Sequence, residues 1–175
     1  MELKSKPTNK SKIHLAQLMM PEHANPGGNV HGGSIMKIID NAALIAATRH
    51  THSNCVTASV DKIDFITPVY VGNLVIAYAS VNYTSRTSLE IGVRIEAECL
   101  ISGIRTHVAS AYLTFVALDK NDKPLEVPSL SIETEEEKRR YNEALKRREQ
   151  RLSTRSRHKH QPQVCIIRPS KLQKN

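Results

Sequence analysis

A glycine-rich loop that runs into an apolar segment holds several side chains that could do chemistry. The loop, Glu22–Gly33, contains four of the seven glycines of the chain. Gly32 and Gly33 stand where a helix is predicted to begin, and the first N–H groups of a helix lack intrahelical acceptors, so they could bind an oxygen that develops negative charge. Asn25 could orient a water or a carbonyl, and His31 could act as a base. The alternatives stay open: the glycines could serve only the turn, Asn25 is a common turn residue, and His31 could hold the loop.

Asp40 is the second candidate, because it interrupts the largely apolar segment Ser34–Thr48. An ionised carboxylate in apolar surroundings is costly unless it is paired or hydrogen-bonded, so Asp40 is either a functional acid or the partner of Lys37 in a structural ion pair. Seven helical residues separate it from Gly33, about 10.5 Å along the axis. Within one subunit, Asp40 and Gly33 do not easily contact the same substrate carbonyl. A two-fold dimer with antiparallel helices could bring Asp40 of one subunit to the loop of the other.

The elements that must position these residues are one helix and an antiparallel sheet. The helix is apolar nearly all round, so it must be buried on most sides. Four runs with strand-like alternation follow it, centred on Val56–Phe65, Val75–Tyr83, Ile91–Cys99 and Ala109–Ala117, with short separators. In the first run the apolar phase reverses, which predicts a bulge or bend near Asp61-Lys62. The fold class is therefore α+β, with a sheet curled around the helix and either the sheet or a second subunit covering it.

Composition excludes several classes of protein. The chain has 175 residues and a net charge of +8, but thirteen of its 25 basic and only six of its 17 acidic residues lie after position 130, and residues 13–130 carry −2. Because the basicity lies in the termini, no specific nucleic-acid site is expected. Neither a signal peptide nor an apolar run long enough to span a bilayer is visible, and three scattered cysteines suit a soluble, cytoplasmic protein. No metal-ligand cluster is evident, since His50 and His52 fit a polar helix end better.

The charge pattern divides the chain into four segments. Residues 1–12 are predicted to be a disordered basic N-terminus and residues 13–130 the folded domain. Residues 131–152 are predicted to form a charged helix with acidic and basic residues at i,i+4, and residues 153–175 a disordered basic tail.

Several strings of residues, in order and without evident gaps from Ile13 to Leu130, resemble the hotdog-fold acyl-CoA thioesterases. The similarity is greatest to the brain-type cytosolic acyl-CoA hydrolases and their bacterial single-domain relatives. The strings are Ala24-Asn25, Gly28–Gly33, Met36-Lys37 with Asp40, Val56–Asp61, Ser85–Glu90 and Ala109–Val116. The resemblance implies a hotdog fold, in which the antiparallel sheet wraps one long central helix, and subunits that pair with active sites at the dimer interface. It also implies homodimers that assemble further into hexamers as trimers of dimers.

The resemblance implies the roles of individual residues as well. The activity is hydrolysis of fatty acyl-CoA, with Asp40 as general base or nucleophile and Asn25 positioning water or the carbonyl. The N–H of Gly33, with that of Gly32, stabilises the oxyanion, and His31 remains a further catalytic candidate. The turn Ser85-Arg86-Thr87-Ser88 matches the region near the nucleotide of coenzyme A. No cofactor is required, because coenzyme A is part of the substrate and product.

Two other functions compete with this prediction. A hotdog dehydratase would carry its histidine in a His-Phe-Pro-Gly type of loop, which Asn29-Val30-His31-Gly32-Gly33 does not match. A non-catalytic module that senses acyl-CoA would bind the ester without turnover. The presence of both Asn25 and Asp40 favours the enzyme, since a sensor needs no base.

Overall fold

A computed structural model of the chain describes residues 5–158. Two long helices and five long strands dominate it, in the order β1 (Lys6–Pro7), β2 (Ile13–Leu18), α1 (Gly32–Thr51), β3 (Asn54–Phe65), β4 (Asn73–Thr84), β5 (Ser88–Cys99), β6 (Arg105–Leu118), β7 (Leu130–Ser131) and α2 (Glu135–His158). Short 3-10 turns at Thr8–Lys10 and Pro21–His23 precede and follow β2.

Five strands form one antiparallel sheet in the order β2-β4-β5-β6-β3. Helix α1 contacts all five, and the buried apolar residues of the helix and of the sheet's inner face form one core. The predicted hotdog arrangement, a sheet around a central helix, is confirmed. The bulge near Asp61 is also confirmed, because the β3–β6 register shifts between Val60 and Lys62.

One side of α1 and the outer edge of β3 leave apolar side chains in solvent. Within the sheet β3 pairs only with β6, so its other edge is open. Side chains on this surface are 36–59% exposed: Met36, Leu44, Ile45, Val60, Phe65 and Ile66. An open strand edge flanked by exposed apolar residues is typical of a surface that pairs with another chain.

Residues 5–12 differ from the prediction that residues 1–12 are disordered, and residues 1–4 lie outside the described residues. Within this stretch, β1 pairs in parallel with β7. Thr8 is 3% exposed and Ser11 is fully buried, and Lys6 Nζ donates to the His50 carbonyl at the end of α1 at 2.6 Å. The prediction was wrong for this stretch because a lysine can stabilise the carbonyls at a helix C-terminus, a long-range contact that composition does not reveal.

The charged helix is also longer than predicted. It begins at Glu135, where Thr134 Oγ1 accepts a hydrogen bond from the Glu137 N–H, and continues to His158, past the expected end at Leu152. The Ser153 and Thr154 hydroxyls donate to the Gln150 carbonyl, so they do not break the helix. The prediction of disorder for residues 159–175 lies outside the described residues.

Helix α2 lies on the outer face of the sheet, opposite α1, and polar contacts hold it there. The Arg147 guanidinium binds Glu90 on β5 at 2.7 Å and lies 3.7 Å from the centre of the Tyr112 ring on β6. Glu90 is only 2% exposed and also accepts from Asn82 Nδ2. This buried charge network explains how a helix with few apolar residues packs on a sheet.

Candidate functional site

The loop before α1 is shaped by the Asn25 side chain. Asn25 Oδ1 accepts from the N–H groups of Gly27 at 2.9 Å and Asn29 at 3.3 Å, and the Asn25 N–H donates to the Asn29 carbonyl at 2.7 Å. Gly28 has φ +85°, a left-handed conformation that glycine adopts without strain. Because the oxygen of the amide holds the loop, its Nδ2 is the group left to contact a ligand, and it makes no hydrogen bond within residues 5–158.

His31 caps α1. Its Nδ1 accepts a hydrogen bond from the Gly33 N–H at 2.9 Å. The cap engages two predicted catalytic groups at once, the lone pair of His31 Nδ1 and the N–H of Gly33. The Gly32 N–H has no acceptor in the described part of the chain, so it is the backbone donor free to meet an oxyanion.

Asp40 lies two turns further along α1 and is half-buried. Its Oδ1 accepts a hydrogen bond from Thr57 Oγ1 on β3 at 2.7 Å. Lys37 is exposed and makes no ion pair with Asp40, so the structural ion pair that the sequence left open is not formed. No cation among the described residues neutralises this carboxylate.

Thr57 is a candidate site residue to which the sequence reasoning assigned no role, although it lies in the string Val56–Asp61. It pairs across the sheet with the fully buried Phe115. Since cross-strand partners share a face, Thr57 points to the side of α1. A threonine in a strand carries no signal of function, and only its placement beside Asp40 reveals it.

A shallow cleft joins the loop to the far end of β3. Its volume is about 290 Å³, and it is lined by Asn25 and Gly32 from the loop, by Phe65 at the end of β3 and Ile66 just after it, and by Val108 of β6. Asp40 does not line it. Within one chain, therefore, the loop and the carboxylate are not brought to one point.

The turn predicted to bind coenzyme A lies at the other end of the sheet. Ser88 pairs with Val116, which pairs with Val56 at the start of β3, whereas the cleft is beside Phe65 at its end. The Ser85 N–H donates to the Ser88 carbonyl at 2.7 Å, which closes the turn, and Arg86 lies 3.7 Å from Glu126 in an exposed pair. A single chain separates this turn from Asn25 by most of the length of β3.

The C-terminal end of α1 holds a buried histidine. His50 is fully buried, and its Nε2 donates to the Pro128 carbonyl at 3.0 Å. Burial lowers the pKa of His50, although the carbonyl bond partly opposes this, and its Nδ1 has no partner in the described residues. His50 is therefore a neutral structural histidine.

No group of three or more potential metal ligands occurs within residues 5–158. Neither described helix is long and apolar enough to cross a membrane.

Known proteins are similar to this chain in sequence and in fold. Residues 27–99 match the family described as the thioesterase superfamily. The uncharacterized acyl-CoA thioester hydrolase YkhA of Bacillus subtilis is 38% identical over 148 residues, which cover 85% of this chain and 86% of that protein. A solved apo-hexameric acyl-CoA thioesterase is similar with a TM-score of 0.84 at 37% identity, covering 87% of this chain and 98% of that one.

An acyl-CoA hydrolase from Staphylococcus aureus has been solved with butyryl coenzyme A, coenzyme A and coenzyme A disulfide. It is similar with a TM-score of 0.82 at 34% identity, covering 89% of this chain and 94% of that one. Structures of its variants carry alanine in place of an asparagine, an aspartate or a threonine. The intervals between those three positions equal the intervals from Asn25 to Asp40 and from Asp40 to Thr57 in this chain.

Proposed function

The chain belongs to the thioesterase superfamily, and from that premise we propose that it hydrolyses fatty acyl-CoA. Water adds to the thioester carbonyl, the carbon–sulfur bond breaks, and the products are a fatty acid and coenzyme A. The observation that carries the proposal is Asp40, a half-buried carboxylate without a cation partner among the described residues, held by Thr57. This feature favours an enzyme over an acyl-CoA sensor, which needs no base.

Asp40 acts in one of two ways on the carbonyl. As a general base it takes a proton from water while the water oxygen attacks, and the oxyanion then expels the coenzyme A thiolate, which receives the proton. As a nucleophile it forms an acyl anhydride and releases the thiolate, and water then hydrolyses the anhydride. In both cases Thr57 fixes one carboxylate oxygen and leaves Oδ2 to react.

The loop before α1 stabilises the charge that develops on the carbonyl oxygen. The Gly32 N–H donates to it, and Gly33 joins only if the His31 cap releases its N–H. Asn25 Nδ2 orients the carbonyl or the attacking water. His31 contributes by holding the loop in this geometry.

The complete site forms between two copies of the chain. The open edge of β3 and the exposed apolar side of α1 suit a second copy, which brings Asp40 of one subunit to the loop of the other. The hexameric relative supports further assembly as a trimer of dimers.

The reaction needs no cofactor, because coenzyme A is part of the substrate and product. The free Cys55 and Cys99 suit a cytoplasmic location.

A thiol-reactive dye that reports free coenzyme A tests the proposal. Wild-type protein is expected to release coenzyme A from acyl-CoA esters of several chain lengths, and the Asp40→Asn variant to lose at least 100-fold in kcat because the amide cannot accept the proton or attack. The Lys37→Gln variant serves as control, since Lys37 is exposed and does not pair with Asp40. Tight binding of the esters with equal, negligible release by wild type and Asp40→Asn would identify a sensor instead.

A further inference from the structure

Arg148 differs from the other arginines of α2 whose side chains are described. Four of these make ion pairs at 2.9 Å or less with a carboxylate: Arg139, Arg140, Arg147 and Arg151. Arg148 is half-buried and has no carboxylate partner within residues 5–158. A half-buried cation without a counter-ion is a candidate to bind an anion that comes from outside the chain.

The guanidinium of Arg148 is held at the end of the sheet where the turn Ser85–Ser88 lies. Arg148 Nη2 is 3.5 Å from Ser85 Oγ, and its guanidinium carbon is 5.9 Å from the centre of the Tyr83 ring. That ring packs edge-on against Tyr141 of α2 at 5.2 Å, so the aromatic support is itself fixed. The contacts to Ser85 and Tyr83 orient the cation but do not neutralise it.

The turn beside Arg148 offers further donors. The backbone N–H groups of Arg86 and Thr87 have no acceptor among the described residues, while their carbonyls accept from Val127 and Ala117 and thereby fix the turn. Arg86 is 78% exposed and only loosely paired with Glu126, so it can exchange this partner for an anion. Adjacent free backbone N–H groups flanked by arginines are a geometry that binds phosphate.

We propose that Arg148 of α2 is a substrate-binding residue, which contacts the phosphates at the nucleotide end of acyl-CoA together with the turn Ser85–Ser88. The inference rests on the proposed function and extends it, because it makes the C-terminal helix part of the substrate site. It also gives Arg148 a role in specificity: the residue distinguishes acyl-CoA from a thioester that lacks the nucleotide. Its contribution is to binding, so it acts on KM and not on the chemical step.

The test compares hydrolysis of an acyl-CoA with hydrolysis of the matching acyl-pantetheine, which has the same thioester without the nucleotide. The Arg148→Gln variant is expected to raise KM for acyl-CoA about tenfold, the effect of one charge-assisted hydrogen bond, with kcat nearly unchanged. Its KM for acyl-pantetheine is expected to equal that of wild type. Arg148→Lys keeps the charge and should recover part of the loss. Lys146→Gln, on the exposed side of the same helix, is the matched control and should change neither value.

Three results would overturn the inference: an unchanged KM for acyl-CoA, an equal rise for both substrates, or an equal rise in Lys146→Gln. Circular dichroism melting of each variant shows whether α2 remains folded. If wild-type protein hydrolyses neither substrate, the proposed function fails, and calorimetric titration with coenzyme A alone then tests Arg148. A tenfold weaker dissociation constant for Arg148→Gln supports the binding site in that case, and equal constants reject it.

Discussion

At the scale of single residues, the candidate site is marked by polar groups that have few hydrogen-bond partners within the chain. Asp40 is bound by one hydroxyl, Asn25 by its oxygen only, and the Gly32 N–H by no acceptor in residues 5–158. His31, by contrast, uses its Nδ1 as a helix cap. The groups with spare hydrogen-bonding capacity are therefore the ones that can meet a substrate.

Replacing Thr57 with valine tests the role of its hydroxyl. Valine has a similar shape but cannot donate to Asp40, so the carboxylate loses the bond that fixes it, and we expect kcat to fall roughly tenfold. Steady-state kinetics with an acyl-CoA ester measures this. Thr57→Ser retains the hydroxyl and should stay close to wild type; a Thr57→Val enzyme with unchanged kcat would remove Thr57 from the site.

At the scale of elements, buried polar contacts fix both helices. The end of α1 is tied by His50 to Pro128 and by Lys6 to the His50 carbonyl, and α2 is tied to the sheet by Arg147 and Glu90. A pair this deeply buried contributes little net stability but makes loss of either partner expensive.

Removal of Arg147 is expected to destabilise the protein strongly. Arg147→Ala leaves the 2% exposed Glu90 carboxylate without its counter-ion, which costs about 3 kcal/mol. Urea unfolding at one fixed protein concentration measures the loss. Arg139→Ala removes an arginine of the same helix whose ion pairs are solvent-exposed. It should lower the free energy of unfolding by only a small fraction of the loss in Arg147→Ala. Equal losses would show that Glu90 is not the cause.

Stability is also expected to depend on the protonation of His50. Because burial lowers its pKa in the folded state, the unfolded state binds the proton more readily, and stability falls as pH decreases below about 6.5, the pKa of an unperturbed histidine. Melting temperatures at pH 7.5 and 5.5 should therefore differ more in wild type than in His50→Gln, whose amide can still donate to Pro128. The same pH dependence in both proteins would exclude His50 as the source.

At the scale of the whole molecule, one chain keeps the parts of the candidate site apart. The loop with Asn25, the carboxylate of Asp40 and the turn at Ser85 are separated along one subunit, and the open edge of β3 lies beside the exposed apolar side of α1. The net charge of residues 13–130 is −2, so an anionic substrate must be bound by local donors and not by a general positive field.

A mixture of two inactive variants tests the shared site. If each site takes Asn25 from one subunit and Asp40 from the other, dimers that combine Asn25→Ala with Asp40→Asn have one intact site of two. Random exchange makes half of the dimers mixed, so activity should return to about a quarter of wild type. Mass spectrometry of the intact dimers verifies mixing. No recovery in verified mixed dimers would place both residues in the site of one subunit.

Features that depend on local sequence patterns were predicted better than features that depend on contacts between residues far apart in sequence. The helix, the long strands and the bulge near Asp61 were predictable, because periodic burial and a phase reversal are local properties of the chain. The family strings pointed to Asn25, Asp40 and the Ser85 turn. The structure of residues 5–12 was missed, since it depends on contacts between distant segments. The continuation of α2 past Leu152 was missed for a local reason, because the Ser153 and Thr154 hydroxyls donate to the Gln150 carbonyl inside the helix.

The sequence by itself determined the fold class, the family and the loop and carboxylate that we propose for the reaction, because these are properties of residue type and spacing. Only the tertiary structure decided which groups are free to act. It set Thr57 against Asp40, joined the N–H of Gly33 to His31, left that of Gly32 open, and placed Arg148 beside Ser85. The physical reason is that a hydrogen bond between residues far apart in sequence is fixed by packing and register, which no local pattern specifies.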